Sequence, residues 1–553
     1  MTETANIQTR HVRVAVIGAG LSGVAAGIAL KNDGIEDFVI IERAGDVGGV
    51  WRDNTYPGVA CDIPSHLYSF SHTPNPDWGH TFAPGEQIHD YIKGVAANHD
   101  LGDQLEFGEE LLEARWDEDR QRWSISTTNL ELTAEVLVDG AGPLTEPQAP
   151  NIPGLESFEG TIFHSARWNH DHDMIGERVA VLGTGASSIQ FVPEIQPRVG
   201  HLTVFQRTPG WVLPRFDRRT AAFERTLRRL CPSTNRIQRL AQFLVRDRLH
   251  HRMIRRDRPA RMLLERQARL HLRRQVRDPH LRAKLTPNFE VGCKRILLSN
   301  KWYPALTQPN VDVVAAGVTE IRGRTVIASD TTEREVDTII LGTGFEVLPP
   351  PISARIIGRD ERTLADVWDA ALDHYRAVEV AHFPNYFRLA GVGCALGHGS
   401  MLAQIESQVA YLRDALRMMK QRGLASVEVT QQAQNAYMDY ARAKLSSTVW
   451  AVGGCTSWYQ DGHGGLTAMW PGTMGEYELL MAQFETDDHL LTRHPATPLP
   501  TNRSPQPARK TDATRSGPQT TNSLTPANTE TEPPRRARSR SSTEKQATWV
   551  PPP

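Results

Sequence analysis

The sequence has few cysteines, no long apolar run and almost no excess charge, and each lack excludes a class of protein. Its five cysteines include no Cys-x-x-Cys pair, which argues against a disulfide framework, a zinc ribbon and a redox-active dithiol. No apolar run approaches the roughly 18 residues that span a bilayer, and no cationic-then-apolar leader is present. The formal net charge of -2 gives no general case for binding nucleic acid or a membrane. We therefore expect a soluble protein of the reducing cytoplasm, without a metal site.

The C-terminal part of the chain is poor in apolar residues. From about Arg493 onward it consists mainly of Pro, Thr, Ser, Asn and Arg. Such a segment cannot bury enough surface to offset its chain entropy, so residues 491–553 are predicted to form a disordered tail. The rest is long enough for two or three domains.

A glycine-rich turn follows a predicted strand near the N-terminus. Residues 11–17 are rich in Val and Ile, as a buried parallel strand is, and Gly18, Gly20 and Gly23 follow at once. The first two glycines permit a tight turn against a pyrophosphate, and the third lets a helix pack on the strand. Glu42 ends the next predicted strand, where a carboxylate can accept hydrogen bonds from ribose hydroxyls. This combination predicts a dinucleotide site.

A second glycine turn opens at Gly183 after another predicted strand, with Ser188 in place of the third glycine. Arg207 follows Gly183 by 24 residues, the same offset that separates Glu42 from Gly18. A guanidinium at that position can pair with a 2′-phosphate, whereas the alternative is an exposed arginine at a strand end. The two turns therefore predict FAD or NAD(H) at the first site and NADP(H) at the second.

These motifs predict an α/β fold with two Rossmann-like dinucleotide-binding domains. The first part of the FAD-binding domain is assigned to residues 10–153 and the NADPH-binding domain to 154–335. A basic helical insertion at about 215–290 interrupts the second domain; nucleic-acid binding is the less favoured reading of its charge. A strand entering the glycine turn at 342–344 is interpreted as the return to the first domain, so residues 336–490 supply its second part and the substrate or lid loops.

The stretch between the two turns carries Phe158, Gly160, His164 and Trp168 in the spacing Phe-x-Gly-x-x-x-His-x-x-x-Trp. With the glycine turns in the same order over residues 10–480, the chain resembles the Baeyer–Villiger monooxygenases, which are class B flavoprotein monooxygenases. That family usually has Pro or Asp after the Trp, where this chain has Asn169. Related flavin-containing monooxygenases, which oxidise nitrogen and sulfur, usually have Tyr at the position of Trp168.

The resemblance implies the cofactors FAD and NADPH and the substrates O2 and a ketone. In such enzymes NADPH reduces FAD, O2 adds at the flavin C4a position, and the peroxyflavin attacks the ketone. The tetrahedral adduct then rearranges to an ester or a lactone. Nothing in the sequence indicates which ketone is used, or the oligomeric state.

The resemblance also assigns roles to residues that the sequence alone leaves open. Asp62 could be a helix cap or a solvated acid, and Lys294-Arg295 could be a surface turn. By resemblance, Arg295 and Asp62 are catalytic. The residues expected to bind FAD are Gly18, Gly20, Ser22, Gly23, Glu42, Val50, Trp51, Arg52, Asp53, Asp62 and Tyr68. Those expected to bind NADP are Ala60, Cys61, Asp62, Gly183, Thr184, Gly185, Ala186, Ser187, Ser188, Gln190, Arg207, Thr208, Lys294, Arg295 and Trp458. His164 and Trp168 are expected to couple domain motion to NADP.

Three other functions are compatible with two dinucleotide sites. A flavin monooxygenase of sulfides or amines would use the same cofactors. A non-catalytic FAD and NADPH sensor would bind flavin without substrate-linked turnover. An NADPH oxidase would release peroxide without an oxygenated product. A disulfide reductase is disfavoured because no two cysteines are close in sequence.

Overall fold

The computed structural model describes residues 10–397, 399–460 and 464–494. The predicted disordered tail lies outside the described residues, apart from its first four positions. The strands, in chain order, are β1 Arg10–Ile17, β2 Phe38–Glu42, β3 Leu105–Phe107, β4 Leu111–Asp117, β5 Arg122–Thr127, β6 Glu131–Asp139, β7 Thr161–His164, β8 Arg178–Leu182, β9 His201–Phe205, β10 Val212–Leu213, β11 Leu297–Leu298, β12 Val311–Val314, β13 Val318–Arg322, β14 Thr325–Ala328, β15 Glu333–Glu335, β16 Thr338–Leu341, β17 Ile356–Ile357, β18 Tyr386–Arg388, β19 Leu424–Val429 and β20 His489–Arg493.

The helices of the described residues are distributed along the whole length. They are α1 Leu21–Asn32, α2 Val50–Asp53, α3 Gly85–Asn98, α4 Ser188–Ile195, α5 Ala222–Leu230, α6 Ser233–Ile254, α7 Arg258–Gln275, α8 Pro279–Lys284, α9 Trp302–Leu306, α10 Leu364–Trp368, α11 Met401–Arg422, α12 Gln431–Leu445, α13 Val449–Val452 and α14 Met474–Leu480. Among these residues no helix has the length and apolar character needed to cross a membrane.

The first sheet has the strand order β17-β4-β5-β6-β1-β2-β3, with β18 also pairing with β6. Strands β1, β2, β3 and β6 are parallel, whereas β4, β5 and β6 form an antiparallel meander. Val14 and Val16 of β1 pack on one side of the sheet together with residues of α1 and α11. Ala15 and Ile17 pack on the other side against residues of the meander. The alternation of side chains along β1 thus fills two cores, as a strand covered on both faces requires.

The second sheet is entirely parallel, in the order β12-β9-β8-β16-β7. Helix α4 follows β8. Its Phe191 and Val192 share a buried core with Val181 of β8 and Val204 of β9. The two sheets therefore each contain a strand, a glycine turn and a helix in succession. This arrangement confirms the predicted α/β fold with two Rossmann-like units.

One strand lies in a different place from that expected. Strand β16, Thr338–Leu341, was predicted to return the chain to the first domain, but it pairs with β7 and β8 in the second sheet. The chain rejoins the first sheet only at β17 and β18. A buried apolar strand followed by glycines has the same pattern in either sheet, so the pattern could not distinguish them. The predicted helical insertion is present as α5 to α8.

Candidate active site

A cavity of about 1230 Å³ extends from the first glycine turn to the second. Its volume exceeds the roughly 300–1,000 Å³ of most small-molecule sites, as a site for more than one ligand requires. Its wall includes residues of both turns, of loop 48–68, of the helical insertion and of the segment that carries Arg295. The cavity thus brings together parts of the chain that are far apart in sequence.

At the first turn, Gly18 has φ +91°, a conformation that glycine adopts without strain. The Glu42 side chain is buried at the end of β2, and its Oε2 accepts a hydrogen bond of 2.8 Å from the backbone N–H of Ala19. Arg52 Nη1 lies 3.1 Å from Glu42 Oε1. Glu42 therefore lies on the cavity wall with its carboxylate fixed, as a ribose acceptor must be. Gly23 packs instead against Gly18, where a β-carbon would come within 1.8 Å of the Gly18 carbonyl oxygen.

Loop 48–68 forms the next part of the wall. Trp51 Nε1 donates a hydrogen bond of 3.1 Å to the Tyr68 hydroxyl, and their ring centroids are 5.6 Å apart. Burial raises the pKa of Tyr68, so its hydroxyl keeps its proton. The glycine turn, the fixed carboxylate and this aromatic pair fit the phosphates, ribose and planar ring of a flavin dinucleotide. The predicted FAD-binding residues on this wall are Gly18, Gly20, Ser22, Glu42, Val50, Trp51, Arg52, Asp53, Asp62 and Tyr68.

At the second turn, Gln190 of α4 connects the second Rossmann unit to the loop at 56–62. Its amide nitrogen donates to the Ala60 carbonyl at 2.9 Å, and its amide oxygen accepts from the Tyr56 hydroxyl at 3.0 Å. The Ala60 N–H also donates to that oxygen, at 3.3 Å. These bonds hold the loop that carries Asp62 against the predicted NADP site.

The predicted NADP-binding residues fall into two groups. Those on the cavity wall are Ala60, Cys61, Asp62, Gly185, Ala186, Ser187, Gln190, Arg295 and Trp458, whereas Gly183, Thr184, Arg207, Thr208 and Lys294 lie outside it. Ser188 is fully buried, and a β-carbon on Gly342 would come within 2.2 Å of its Oγ. The assignment of Ser188 to NADP binding is corrected accordingly, because it packs α4 against the β16 turn as the third glycine packs α1 at the first site.

Arg295 and Asp62 form a bidentate ion pair, although 233 residues separate them. Nε and Nη2 of Arg295 donate to the two carboxylate oxygens at 2.7–3.0 Å. Coulombic attraction to Asp62 is the largest effect on the pKa of Arg295 and raises it. Burial would raise the pKa of Asp62, but the charge and hydrogen bonds of Arg295 outweigh it, so that pKa is lowered. Both groups are therefore charged.

Two further residues complete this centre, and neither was singled out as a site residue from the sequence. Arg246 of α6 lies on the cavity wall, and its charge contributes to the lowered pKa of Asp62. The buried Tyr459 hydrogen-bonds to the backbone of Arg295, and burial raises the pKa of its hydroxyl to about 12. Arg246 is one of many arginines on amphipathic helices, and no sequence pattern distinguishes it from the others.

Arg207 and Lys294 form a second cationic pair beside the cavity. Burial lowers the pKa of Lys294, and the positive charge of Arg207 lowers it further. Among the described residues, Arg207 forms no ion pair with an acidic side chain. Two adjacent cations without a neutralising carboxylate fit a doubly charged phosphate. Arg207, which was predicted from its offset from Gly183, therefore lies in a cationic site whose charge fits the 2′-phosphate of NADP.

The stretch with the spaced Phe, Gly, His and Trp packs along the edge of the second sheet. A β-carbon on Gly160 would come within 2.2 Å of the Asp337 carbonyl oxygen and 2.7 Å of the Phe158 ring. His164 Nδ1 accepts a hydrogen bond of 3.0 Å from the Ala166 N–H, and burial lowers the pKa of His164 to about 4. The Trp168 ring centroid lies 5.3 Å from that of Phe191 in α4. His164 is the last residue of β7, and Trp168 packs against the helix of the second glycine turn. None of the four residues of the spaced stretch is part of the cavity wall.

The argument against disulfides is wrong at one pair. Cys293 and Cys455 form a disulfide whose Cα atoms are 6.1 Å apart. It joins the segment of Lys294 and Arg295 to the loop that carries Trp458. The Trp458 side chain lies on the cavity wall and is 46% exposed. The cysteines are 162 residues apart in sequence, so their spacing could not show that the fold brings them together.

A cavity that reaches two glycine turns, with a buried carboxylate at the first and two cations beside the second, fits a flavoprotein with a second dinucleotide. Comparison with known proteins identifies the family. Residues 11–427 match the family described as flavin-binding monooxygenase-like. A Baeyer–Villiger monooxygenase of Streptomyces coelicolor is 48% identical over 468 residues, which are 84% of this chain and 90% of that protein. Another from Pseudomonas aeruginosa is 41% identical and covers 90% of this chain and 95% of that protein.

Solved structures agree with these relatives. A closed crystal structure of cyclohexanone monooxygenase aligns with a TM-score of 0.78 and 26% identity, over 88% of this chain and all of that chain. An oxidised steroid monooxygenase bound to NADP aligns with a TM-score of 0.76 and 27% identity over the same shares. The chain belongs to the Baeyer–Villiger monooxygenases of the flavin-binding monooxygenase-like family. Its predicted class, an FAD-dependent NADPH monooxygenase, is confirmed.

Proposed function

We propose that this chain uses NADPH and O2 to convert a ketone into an ester or a lactone, with Arg295 and Asp62 at the centre of the reaction. When bound, the cofactors supply the reducing electrons and carry the oxygen. The protein binds the reactants, keeps them oriented and stabilises negative charge. The observation that carries the proposal is the Arg295–Asp62 pair on the wall of the cavity that reaches both glycine turns.

Arg295 is suited to stabilise an anion. Its Nε and Nη2 are held by Asp62, whereas Nη1 makes no hydrogen bond to any residue that the structure describes. The side chain is 43% exposed, so a ligand in the cavity can reach it. A guanidinium cannot lose its proton near neutral pH, so it gives a negative oxygen a permanent charge without protonating it. Asp62 fixes the plane of the guanidinium and so positions Nη1.

We also propose that Arg207 and Lys294 bind the 2′-phosphate of NADPH. In support, both are cationic, Arg207 is close enough to lower the pKa of Lys294, and Arg207 is exposed. Gln190 would then hold the loop of Asp62 against the nicotinamide half of NADPH, and Trp458 would cover that nicotinamide half. His164 and Trp168 would influence the reaction through the packing of α4, without touching reacting atoms.

The test is NADPH consumption by the FAD-loaded protein with a panel of cyclic and linear ketones, with oxygenated product measured alongside. We expect an ester or lactone in step with NADPH. Arg295→Ala should lower product formation by about 100-fold or more, as loss of an oxyanion-stabilising group does. Asp62→Asn should lower it less, because the guanidinium remains but is no longer held. Arg322→Ala, in an exposed bidentate pair with Glu320, is the matched control and should be unaffected.

The other outcomes separate the alternative functions. Sulfoxide or N-oxide without ester would assign the chain to the sulfide- and amine-oxidising flavin monooxygenases. Hydrogen peroxide alone, across the whole panel, would indicate an NADPH oxidase. Flavin binding without NADPH consumption would indicate a sensor. Unchanged ester formation by Arg295→Ala would overturn the role given to that arginine.

A further inference from the structure

The helical insertion carries an apolar surface that faces solvent. We call it the outer apolar face. It is a set of large exposed side chains, and the most exposed are Leu230, at 76%, and Phe223, at 72%. Its members are Phe223, Leu227 and Leu230 of α5, Ile237, Leu240, Leu244 and Val245 of α6, and Met262, Leu263 and Leu270 of α7. Helix α6 adjoins both α5 and α7, and monomeric soluble proteins rarely expose so many large apolar residues on neighbouring elements.

The spacing shows that these residues form helical faces rather than scattered exceptions. On α6 the apolar positions recur at i, i+3, i+7 and i+8 from Ile237, the pattern of an amphipathic helix. The opposite side of α6 is fastened to the rest of the protein. There Arg239 forms an ion pair of 3.1 Å with Glu406, and Asp247 accepts a hydrogen bond of 2.8 Å from the Met474 N–H. The apolar side of α6 therefore cannot turn inward without breaking these contacts.

The same helices carry a large excess of positive charge. Residues 222–275 contain sixteen arginines and four acidic residues, although the whole chain has a net charge of -2. Among the described residues, several exposed arginines of these helices form no ion pair: Arg236, Arg248, Arg255, Arg258, Arg266, Arg273 and Arg274. Arg236 and Arg248 adjoin the apolar positions of α6 directly. Exposed apolar side chains together with arginines that form no ion pair, on the same helices, are the composition of helices that lie in an anionic membrane surface.

We propose that the outer apolar face docks on an anionic lipid bilayer, with its leucines, isoleucine and phenylalanine in the interface and its arginines on the headgroups. A second copy of the chain is a poorer occupant, because a two-fold contact would place this positive surface against itself. A polyanion such as nucleic acid would match the charge but would leave the apolar side chains without a partner. The proposal requires attachment to the surface only, and it holds whatever substrate the enzyme oxidises.

The experiment is flotation of the full-length, FAD-loaded protein with lipid vesicles. Vesicles of phosphatidylglycerol and phosphatidylcholine in equal parts are compared with vesicles of phosphatidylcholine alone. We expect the anionic vesicles to bind at least about tenfold more strongly, and added salt to weaken that binding. The double variant Ile237→Ser/Leu244→Ser should weaken it by at least about tenfold, as should Arg236→Gln/Arg248→Gln.

A matched control replaces equally exposed apolar residues elsewhere. Leu112 and Leu490 are 52% and 54% exposed, so Leu112→Ser/Leu490→Ser should bind vesicles as the unchanged protein does. All variants should retain flavin absorbance and basal NADPH oxidation, which shows that they fold. Three results would overturn the proposal: equal binding to neutral vesicles, binding that the control variant weakens as much, or no vesicle binding. A concentration-dependent dimer lost in Ile237→Ser/Leu244→Ser, or duplex DNA binding without vesicle binding, would assign the face to those partners instead.

Discussion

The disulfide between Cys293 and Cys455 predicts that the stability and the cofactor affinity of this enzyme depend on its redox state. Cys293 immediately precedes Lys294 and Arg295, and Cys455 lies three residues before Trp458. The bond therefore ties the arginine of the reaction centre to the loop proposed to cover NADPH. Reduction should release that loop and raise the KM for NADPH, with a smaller change in affinity for FAD.

The size of the stability effect follows from the length of chain that the bond closes. The two cysteines are 162 residues apart, and the entropy of closing such a loop in the unfolded chain corresponds to about 5 kcal/mol. This value is an upper limit, because an unfolded chain retains residual structure. We expect the double variant Cys293→Ser/Cys455→Ser to lose a few kcal/mol of unfolding free energy. Cys231→Ser is the control, since Cys231 is exposed and unpaired.

The assay has two parts, thiol titration and urea unfolding, each with and without dithiothreitol. Titration in denaturant should find three thiols before reduction, those of Cys61, Cys231 and Cys394, and five after it. Reduction should lower the unfolding midpoint of the unchanged protein but not that of the double variant. Five free thiols in aerobically purified protein, or a midpoint unaffected by reduction, would refute the reasoning.

Two other predictions concern the proposed phosphate site and the buried His374. Arg207→Ala should raise the KM for NADPH by about 10- to 100-fold and leave that for NADH nearly unchanged, because only NADPH carries the 2′-phosphate; steady-state kinetics with both nucleotides would show it, and an equal effect on both would contradict it. Burial lowers the pKa of His374 to about 4, so the folded state opposes its protonation. The unfolded state therefore binds a proton that the folded state does not, between pH 6.5 and pH 4. Over this range the free energy of unfolding falls by about 3 kcal/mol as the pH is lowered, and above pH 6.5 it is unaffected by this group. Urea unfolding at several pH values should therefore show a shallower acid loss for His374→Gln than for the unchanged protein.

What the sequence could reveal of the fold was local. Each glycine turn lies directly between a strand and a helix, so a window of some thirty residues contains the whole signal. Strand β16 has the same apolar pattern as its neighbours in either sheet, and only pairing with β7 and β8 places it. The Cys293–Cys455 bond was missed for the same reason. Contacts between residues that are far apart in sequence follow no fixed spacing, so no sequence pattern predicts them.

The residues of the candidate site could likewise be predicted only where a local sequence pattern marks them. Glu42 and Arg207 could be proposed from the sequence because their offsets from the glycines are fixed by one strand–helix–strand unit. The pair Asp62 and Arg295 was proposed only through family resemblance, since 233 residues and the whole insertion lie between them. Arg246 was not proposed at all, because in sequence it is one of many arginines on a helix. The composition of a basic helix gives no indication of which arginine faces a buried carboxylate.

The helical insertion has two sides, and we propose a different function for each. Its inner side supplies Arg246 to the field around Asp62 and Arg295, and Leu249 and Leu264 to the cavity wall. Its outer side carries the outer apolar face and the unpaired arginines. Because α6 contributes to both, a contact on the outer side acts on a helix that also carries a charge of the reaction centre. Membrane attachment would thus be linked to the site through α6, and the apolar substitutions on α6 separate the two proposed functions because they leave Arg246 in place.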